Sequence, residues 1–231
     1  MRDMLMRAGR ALLDLLYPPR AECMGCGDKS GLERDWLCLA CRQALAERWA
    51  GALPPPEGGR FQGAAFAYYY SGPAGTMVRN LKYRGVRRLA EPMGRAMASA
   101  FKPLQPTGVD CVAPVPMHPR RLSQRGFNHA ALLAAQAADR LELPVLEALE
   151  RVRDTSQQAR LQDAERRVNV RDAFAVRGDM RGRRVLLVDD VCTTGATANA
   201  CADALLDSGV EAVYLLCFAK ARKRDGDQDD A

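Results

Sequence analysis

Four consecutive apolar residues, Val185–Val188, run directly into two carboxylates, Asp189 and Asp190, and then into Thr193-Thr194-Gly195-Ala196-Thr197, where a helical pattern begins. A short apolar run of this kind reads as a strand buried on both faces, which calls for a sheet covered by helices on each side. Such a strand delivers the acids and the turn after them to its carboxyl end, where open α/β sheets bind their ligands. The amides at a helix N-terminus, together with the threonine hydroxyls, suit a phosphate monoester. Two carboxylates cannot serve the same phosphate, because like charges repel. They suit a sugar diol, whose hydroxyls donate hydrogen bonds to carboxylate. Asp189, Asp190, Thr193, Thr194, Gly195, Ala196 and Thr197 are therefore expected to grip both ends of a ribose 5-phosphate, with Gly195 letting the backbone approach the ligand. The bland alternative is a polar turn that only caps a helix, which leaves the two acids unexplained. Neither GxxxxGK[ST] nor GxGxxG, the other common phosphate loops, occurs in the chain.

The rest of the chain agrees with such a sheet. Phe61–Tyr70, Val109–Val115 and Val210–Phe218 read as strands, and Phe174–Val176 as a brief one. Helical patterns lie over Gly75–Tyr83, Leu89–Phe101, Asn128–Leu141 and Ala196–Asp207. Strands alternating with helices of this length imply parallel pairing. At 231 residues with 48% hydrophobic composition the chain can fill one medium core and carry a small appendage.

The appendage is marked by cysteines. Cys23-x2-Cys26 and Cys38-x2-Cys41 are separated by eleven residues, a spacing that presents four thiolates to one tetrahedral zinc ion. Such a closed site is structural, since no coordination position is left for substrate. The other cysteines differ: Cys111, Cys201 and Cys217 read as inert buried thiols. Cys192 sits within the phosphate loop, but His118 and His129 are remote in sequence, so it lacks an adjacent base for nucleophilic work.

Residues 1–50 are expected to hold an amphipathic helix followed by this zinc-ribbon-like module. Asp3, Arg7, Arg10 and Asp14 mark the helix's polar face and Leu5, Ala8, Leu12 and Leu15 its apolar one. Residues 51–60, rich in Pro and Gly, read as a linker separating module from core; 61–219 form the main domain, and 220–231 a charged, frayed tail. No apolar run reaches the roughly 18–20 residues of a membrane span, and the N-terminus has no cleavage site of export type, so a cytoplasmic setting is expected. A net charge of +6 suits phosphate ligands or nucleic acid, but many enzymes share it.

The stretch Arg184–Thr197 resembles the 5-phosphoribosyl-1-pyrophosphate (PRPP) motif of type I phosphoribosyltransferases. The resemblance widens through Asp110-Cys-Val-Ala-Pro-Val-Pro-Met, Arg125-Gly-Phe-Asn-His-Ala130, Gln157-Gln158, Arg166-Arg-Val-Asn169, Leu81-Lys-Tyr-Arg-Gly85 and the leading LLDLLYPPR. Together with the cysteine module these are similar to the ComF/GntX family over nearly the whole chain, with His129 standing where Gln is expected. The resemblance implies a type I phosphoribosyltransferase-like parallel sheet flanked by helices, with a small N-terminal four-cysteine zinc module. It implies PRPP with Mg2+ as ligand and a nitrogenous acceptor base. The exit of the first core strand would be the pyrophosphate loop, where Arg120, Arg121 and Arg125 can bridge phosphate oxygens. A mobile lid would fall within 151–171.

Two classes of function follow. One is phosphoribosyl transfer, in which Asp189 and Asp190 are the acidic site residues and Asp190 is the acid nearest the attacking base. The other is a protein without transfer activity that serves DNA uptake by binding single-stranded DNA or partner proteins, as the resemblance to ComF implies. Few aromatic residues, 6% of the chain, are available for base stacking.

Overall fold

A computed structural model describes residues 22–29, 32, 36–104, 108–152 and 173–222. The expected N-terminal helix, most of the lid segment with Gln157, Gln158 and Asn169, and the tail beyond Arg222 lie outside the described residues. Among them the order is α1 (Leu39–Ala46), β1 (Trp49–Leu53), β2 (Gly63–Tyr69), α2 (Gly72–Tyr83) and α3 (Ala90–Phe101). Then come β3 (Cys111–Pro114), α4 (Pro119–Arg125), α5 (His129–Leu141), β4 (Leu149–Arg151) and β5 (Phe174–Val176). The chain closes with β6 (Arg184–Cys192), α6 (Ala196–Asp207) and β7 (Ala212–Lys220).

Five strands form one sheet in the order β1-β2-β7-β6-β3, and β4 and β5 pair as a small antiparallel ribbon. Four of the five run parallel, as the alternation of strands and helices requires. The fifth, β1, joins β2 antiparallel at the edge. That edge strand occupies the first part of the stretch expected to be a linker. Its Gly and Pro content reads as loop, yet Gly51, at φ 69°, is accommodated in it, and pairing with β2 organises what local propensity does not.

Each face of the sheet has its own core. Leu186 and Val188 of β6, with Leu216 and Phe218 of β7, pack under α2, α3 and α5. Val185 and Leu187, with Val213, Leu215 and Cys217, pack under α6 and the β4–β5 ribbon. The cysteine module continues the first of these cores: Met24, Leu37, Cys41 and Leu45 are buried in one cluster with Val78 and Leu81 of α2. The Asn80 side-chain amide also donates to the Met24 carbonyl at 3.5 Å. The module is therefore packed onto the sheet domain rather than held away by a linker.

Candidate functional site

The geometry of the candidate site starts from the two strands that frame it. Pairing between β3 and β6 stops at Pro114 and Val188, with one further bond from the Val115 amide to the Val188 carbonyl. On its other side β6 stays paired with β7 through Cys192. From Asp189 onward one edge of β6 is thus open, and the alternation of side chains places the two acids on opposite faces of the sheet. Asp190 continues the row of Leu186 and Val188 toward α2 and α5, whereas Asp189 continues the row of Val185 and Leu187 toward α6. A ribose seated against that open edge would lie between carboxylates projecting to either side.

The two acids differ in state. Asp190 is buried, with 6% of its surface exposed, and its Oδ1 lies 2.7 Å from Lys82 Nζ at the end of α2. The Asp189 carboxylate accepts the Asp190 amide at 2.8 Å. Burial, with the Asp190 charge beside it, pushes Asp189 up to about 8. Asp190, the acid expected to assist an attacking base, is the one already engaged by a cation. Asp189 is half-buried and is poised to exchange a proton near neutrality.

Beyond Cys192 the chain turns into α6. Gly195 is the N-cap of that helix in the left-handed region at φ 83°, and no side chain caps the helix. Thr193, Thr194 and Ala196 are exposed, and the Thr194 hydroxyl takes only a long 3.4 Å bond from the Ala196 amide. Uncapped amides and exposed hydroxyls at a helix N-terminus are what an anion needs. The protein itself also crowds this position. What approaches Gly195 is Pro56, with which a Cβ at this position would overlap. Segment 54–60 is strapped along α6. The Asn199 amide donates to the Glu57 carbonyl at 2.8 Å, and Arg60 pairs with Asp207 at 2.8 Å. The sequence gives no hint of this strap, because its anchors are 142 or more positions apart.

At the exit of β3 the structure replaces an open loop with α4. His118 caps it by accepting the Arg120 amide at 3.3 Å, Pro119 opens it, and Gly126 ends it at φ 74°. Arg120, Arg121 and Arg125 all lie on this one helix, and among the described residues no carboxylate pairs with them. The Arg125 guanidinium sits over the exposed ring of Tyr83 at 5.2 Å. His129, at the start of α5, is buried beside Asp190, and burial lowers its basicity. Cys192 is buried and in contact with Cys217, which lowers its thiol, and it faces away from the loop surface. Cys111, Cys201 and Cys217 are buried, as the sequence reading has them.

The four module cysteines converge, with all their sulfurs within 4.8 Å of one another. Although burial opposes it, the backbone amides of Cys38, Cys26 and Gly25 pull Cys23 down to about 6, while burial drives Cys41 well above its ordinary value. Four sulfurs at this separation, one of them readily a thiolate, fit a tetrahedral zinc module.

Comparison with known proteins agrees with this geometry. The phosphoribosyl transferase domain family matches residues 128–231, which include β6, the acid pair and the turn into α6. Competence protein F of Haemophilus influenzae is 32% identical over 161 residues, covering 66% of this chain and 70% of the relative. The DNA utilization protein YhgH of Escherichia coli K12 is 30% identical over 195 residues, covering 82% of each. The chain belongs to the ComF family. Competence protein ComFC of Bacillus subtilis, 28% identical over 142 residues, covers 62% of this chain and is itself covered over 57% of its length. The ComF chain described here thus joins a phosphoribosyltransferase-type sheet to a four-cysteine module. Among its described residues no helix is long and apolar enough to cross a membrane.

Proposed function

We propose that this ComF protein binds PRPP with Mg2+ at the open edge of β6 and transfers the phosphoribosyl group to a nitrogenous acceptor in the cytoplasm. The observation that carries the reading is the end of β6 itself. It combines two carboxylates flanking an unpaired strand edge with an uncapped helix N-terminus one turn of chain later. In this reading Asp189 and Asp190 accept the ribose hydroxyls, and Thr193–Thr197 hold the 5-phosphate. Arg120, Arg121 and Arg125 meet the diphosphate, with which no carboxylate among the described residues competes for them. The bond from the anomeric carbon to pyrophosphate breaks with its electron pair leaving on pyrophosphate, and a nitrogen lone pair forms the new bond. Bound Mg2+ would neutralise charge on the departing diphosphate. The protein's share is to hold the two partners in line. Cys23, Cys26, Cys38 and Cys41 hold one structural zinc ion.

Calorimetric titration with PRPP, with and without Mg2+, tests this directly. Heat saturating at one ligand per chain is expected, and its absence would end the enzyme reading.

A second reading is favoured by a surface feature. Residues 82–88 and 118–128 contain seven cations and no acid. Their guanidinium groups stack on aromatic rings: Arg87 over Phe127 at 4.4 Å, Arg125 over Tyr83 at 5.2 Å, and Arg88 over Trp36 of the module at 5.3 Å. Tyr83 is 71% exposed. Cations interleaved with accessible rings suit the phosphates and bases of single-stranded nucleic acid, in keeping with relatives named for competence and DNA utilization. In this reading DNA binding dominates and PRPP transfer is lost. A short single-stranded oligonucleotide titrated at two salt concentrations separates the readings, since counterion release makes DNA binding fall steeply with salt.

A further inference from the structure

The ion pair between Lys82 and Asp190 is the strongest feature of the site that the sequence reading passed over. Lys82 lies in the last turn of α2, and its side chain is 22% exposed against 9% for Asp190. Its charged end is fixed. Its ammonium meets Asp190 Oδ1 at 2.7 Å, and the buried His129 ring, whose Nε2 has no partner among the described residues, lies beside the pair. Farther up α2, Asn80 ties the helix to the cysteine module, and Leu81 is wholly buried beneath it. A lysine fixed so firmly does not sample solvent as surface lysines do.

We propose that Lys82 is a positioning and specificity residue of the ribose site, which makes Asp190 usable by a polyanionic sugar phosphate. The inference rests on the PRPP reading above. Its physical basis is a conflict of charge. Asp190 is buried and PRPP is highly anionic, so an unpaired carboxylate would oppose both burial and ligand. Lys82 cancels that charge and fixes the orientation of the carboxylate, leaving its second oxygen to accept a ribose hydroxyl. The groups facing the pair are His129 from α5, Arg125 in α4's last turn and Asp189 on β6. Among the described residues, Lys82 is the one charged group in contact with the Asp190 oxygens.

The consequence is a reversal of sign. With Lys82 present, Asp190→Asn removes a useful acceptor and weakens binding. With Lys82 replaced by Met, the same Asp190→Asn change removes an unneutralised charge and strengthens binding. A lysine with a purely structural role would give losses that simply add. Ligand charge gives a second signature, because the loss on Lys82→Met grows from ribose 5-phosphate to PRPP.

The experiment is a double-mutant cycle on the full chain with PRPP plus Mg2+ and with ribose 5-phosphate, read as dissociation constants, with circular dichroism verifying the fold. Lys82→Met is expected to weaken PRPP roughly tenfold or more, the order of one broken charge pair, and ribose 5-phosphate by less. Asp190→Asn should recover part of that loss, and Lys82→Arg should keep most of the affinity. If Lys82→Met does not fold, Lys82→Gln replaces it in the same cycle. Unchanged PRPP affinity in the Lys82 variant, or losses that add across the cycle, overturns the proposal while leaving PRPP binding by the wild type intact. Wild type that binds no PRPP overturns both.

Discussion

Asp189 carries a consequence that can be followed with pH. Its carboxyl is raised to about 8 by burial and by Asp190, so the folded chain keeps a proton that the unfolded chain gives up in the ordinary carboxylate range. Its contribution to stability is complete below that range and is lost as pH rises through about 8. A ribose hydroxyl, in contrast, is held more strongly by the ionised carboxylate as acceptor. PRPP affinity should therefore rise between pH 7 and 9, above the second phosphate pKa of about 6, and Asp189→Asn should flatten that profile. Above about pH 8, where Asp189 is ionised, Asp189→Asn should also weaken PRPP by about 1–3 kcal/mol, because a charged acceptor becomes a neutral amide. Titration calorimetry across that pH range checks both; a wild-type affinity that does not change with pH excludes Asp189 as the acceptor. Gly195 offers a sharper test of the strap. A methyl group there meets Pro56 and forces a left-handed φ on an L-residue, so Gly195→Ala should destabilise the fold by more than 1 kcal/mol. Chemical denaturation measures this, and a neutral result would show that segment 54–59 gives way easily.

Among the elements, α4 shows how far a basic stretch can be read. The resemblance implies a loop at this strand exit, whereas Pro119 and Gly126 are the first residue and the cap of a seven-residue helix. No apolar periodicity announces it because no residue of α4 is buried. Gathering Arg120 and Arg121 on one short helix beyond β3 sets them toward the diphosphate end of the ligand in the proposed binding mode. Arg121→Ala should cost PRPP about 1.5–3 kcal/mol and ribose 5-phosphate much less, since the latter has no diphosphate. Equal losses for the two ligands would move the pyrophosphate site elsewhere. The strand β1 was missed for the opposite reason: its pairing partner, not its own composition, makes it a strand.

For the molecule as a whole, the decisive contact joins the cysteine module to α2. Structural zinc contributes roughly 10–16 kcal/mol of coupled folding free energy in isolated modules. Here Met24, Leu37 and Leu45 share one buried cluster with Val78 and Leu81, so losing the metal should disturb the helix that presents Lys82. Cys38→Ser is expected to abolish metal binding and to lower the melting temperature of the entire chain, not of the module alone. Elemental analysis and a thermal melt check this. Metal-free wild type, or a Cys38→Ser chain melting like the wild type, would sink it.

What the sequence by itself determined was local or periodic: the apolar run into Asp189 and Asp190, the Thr-Gly turn opening α6, the paired CxxC turns and the alternation that demands parallel strands. Each is carried by short patterns or by their repetition along the chain, where spacing dictates geometry directly. The tertiary structure alone decided the partner of each acid, the covering of Gly195 by Pro56, the pairing of β1 and the docking of the module on α2. Those contacts join residues such as Lys82 and Asp190, or Glu57 and Asn199, far apart in the chain. Only the packing of helices on the two sheet faces brings them together, and no local pattern encodes that packing.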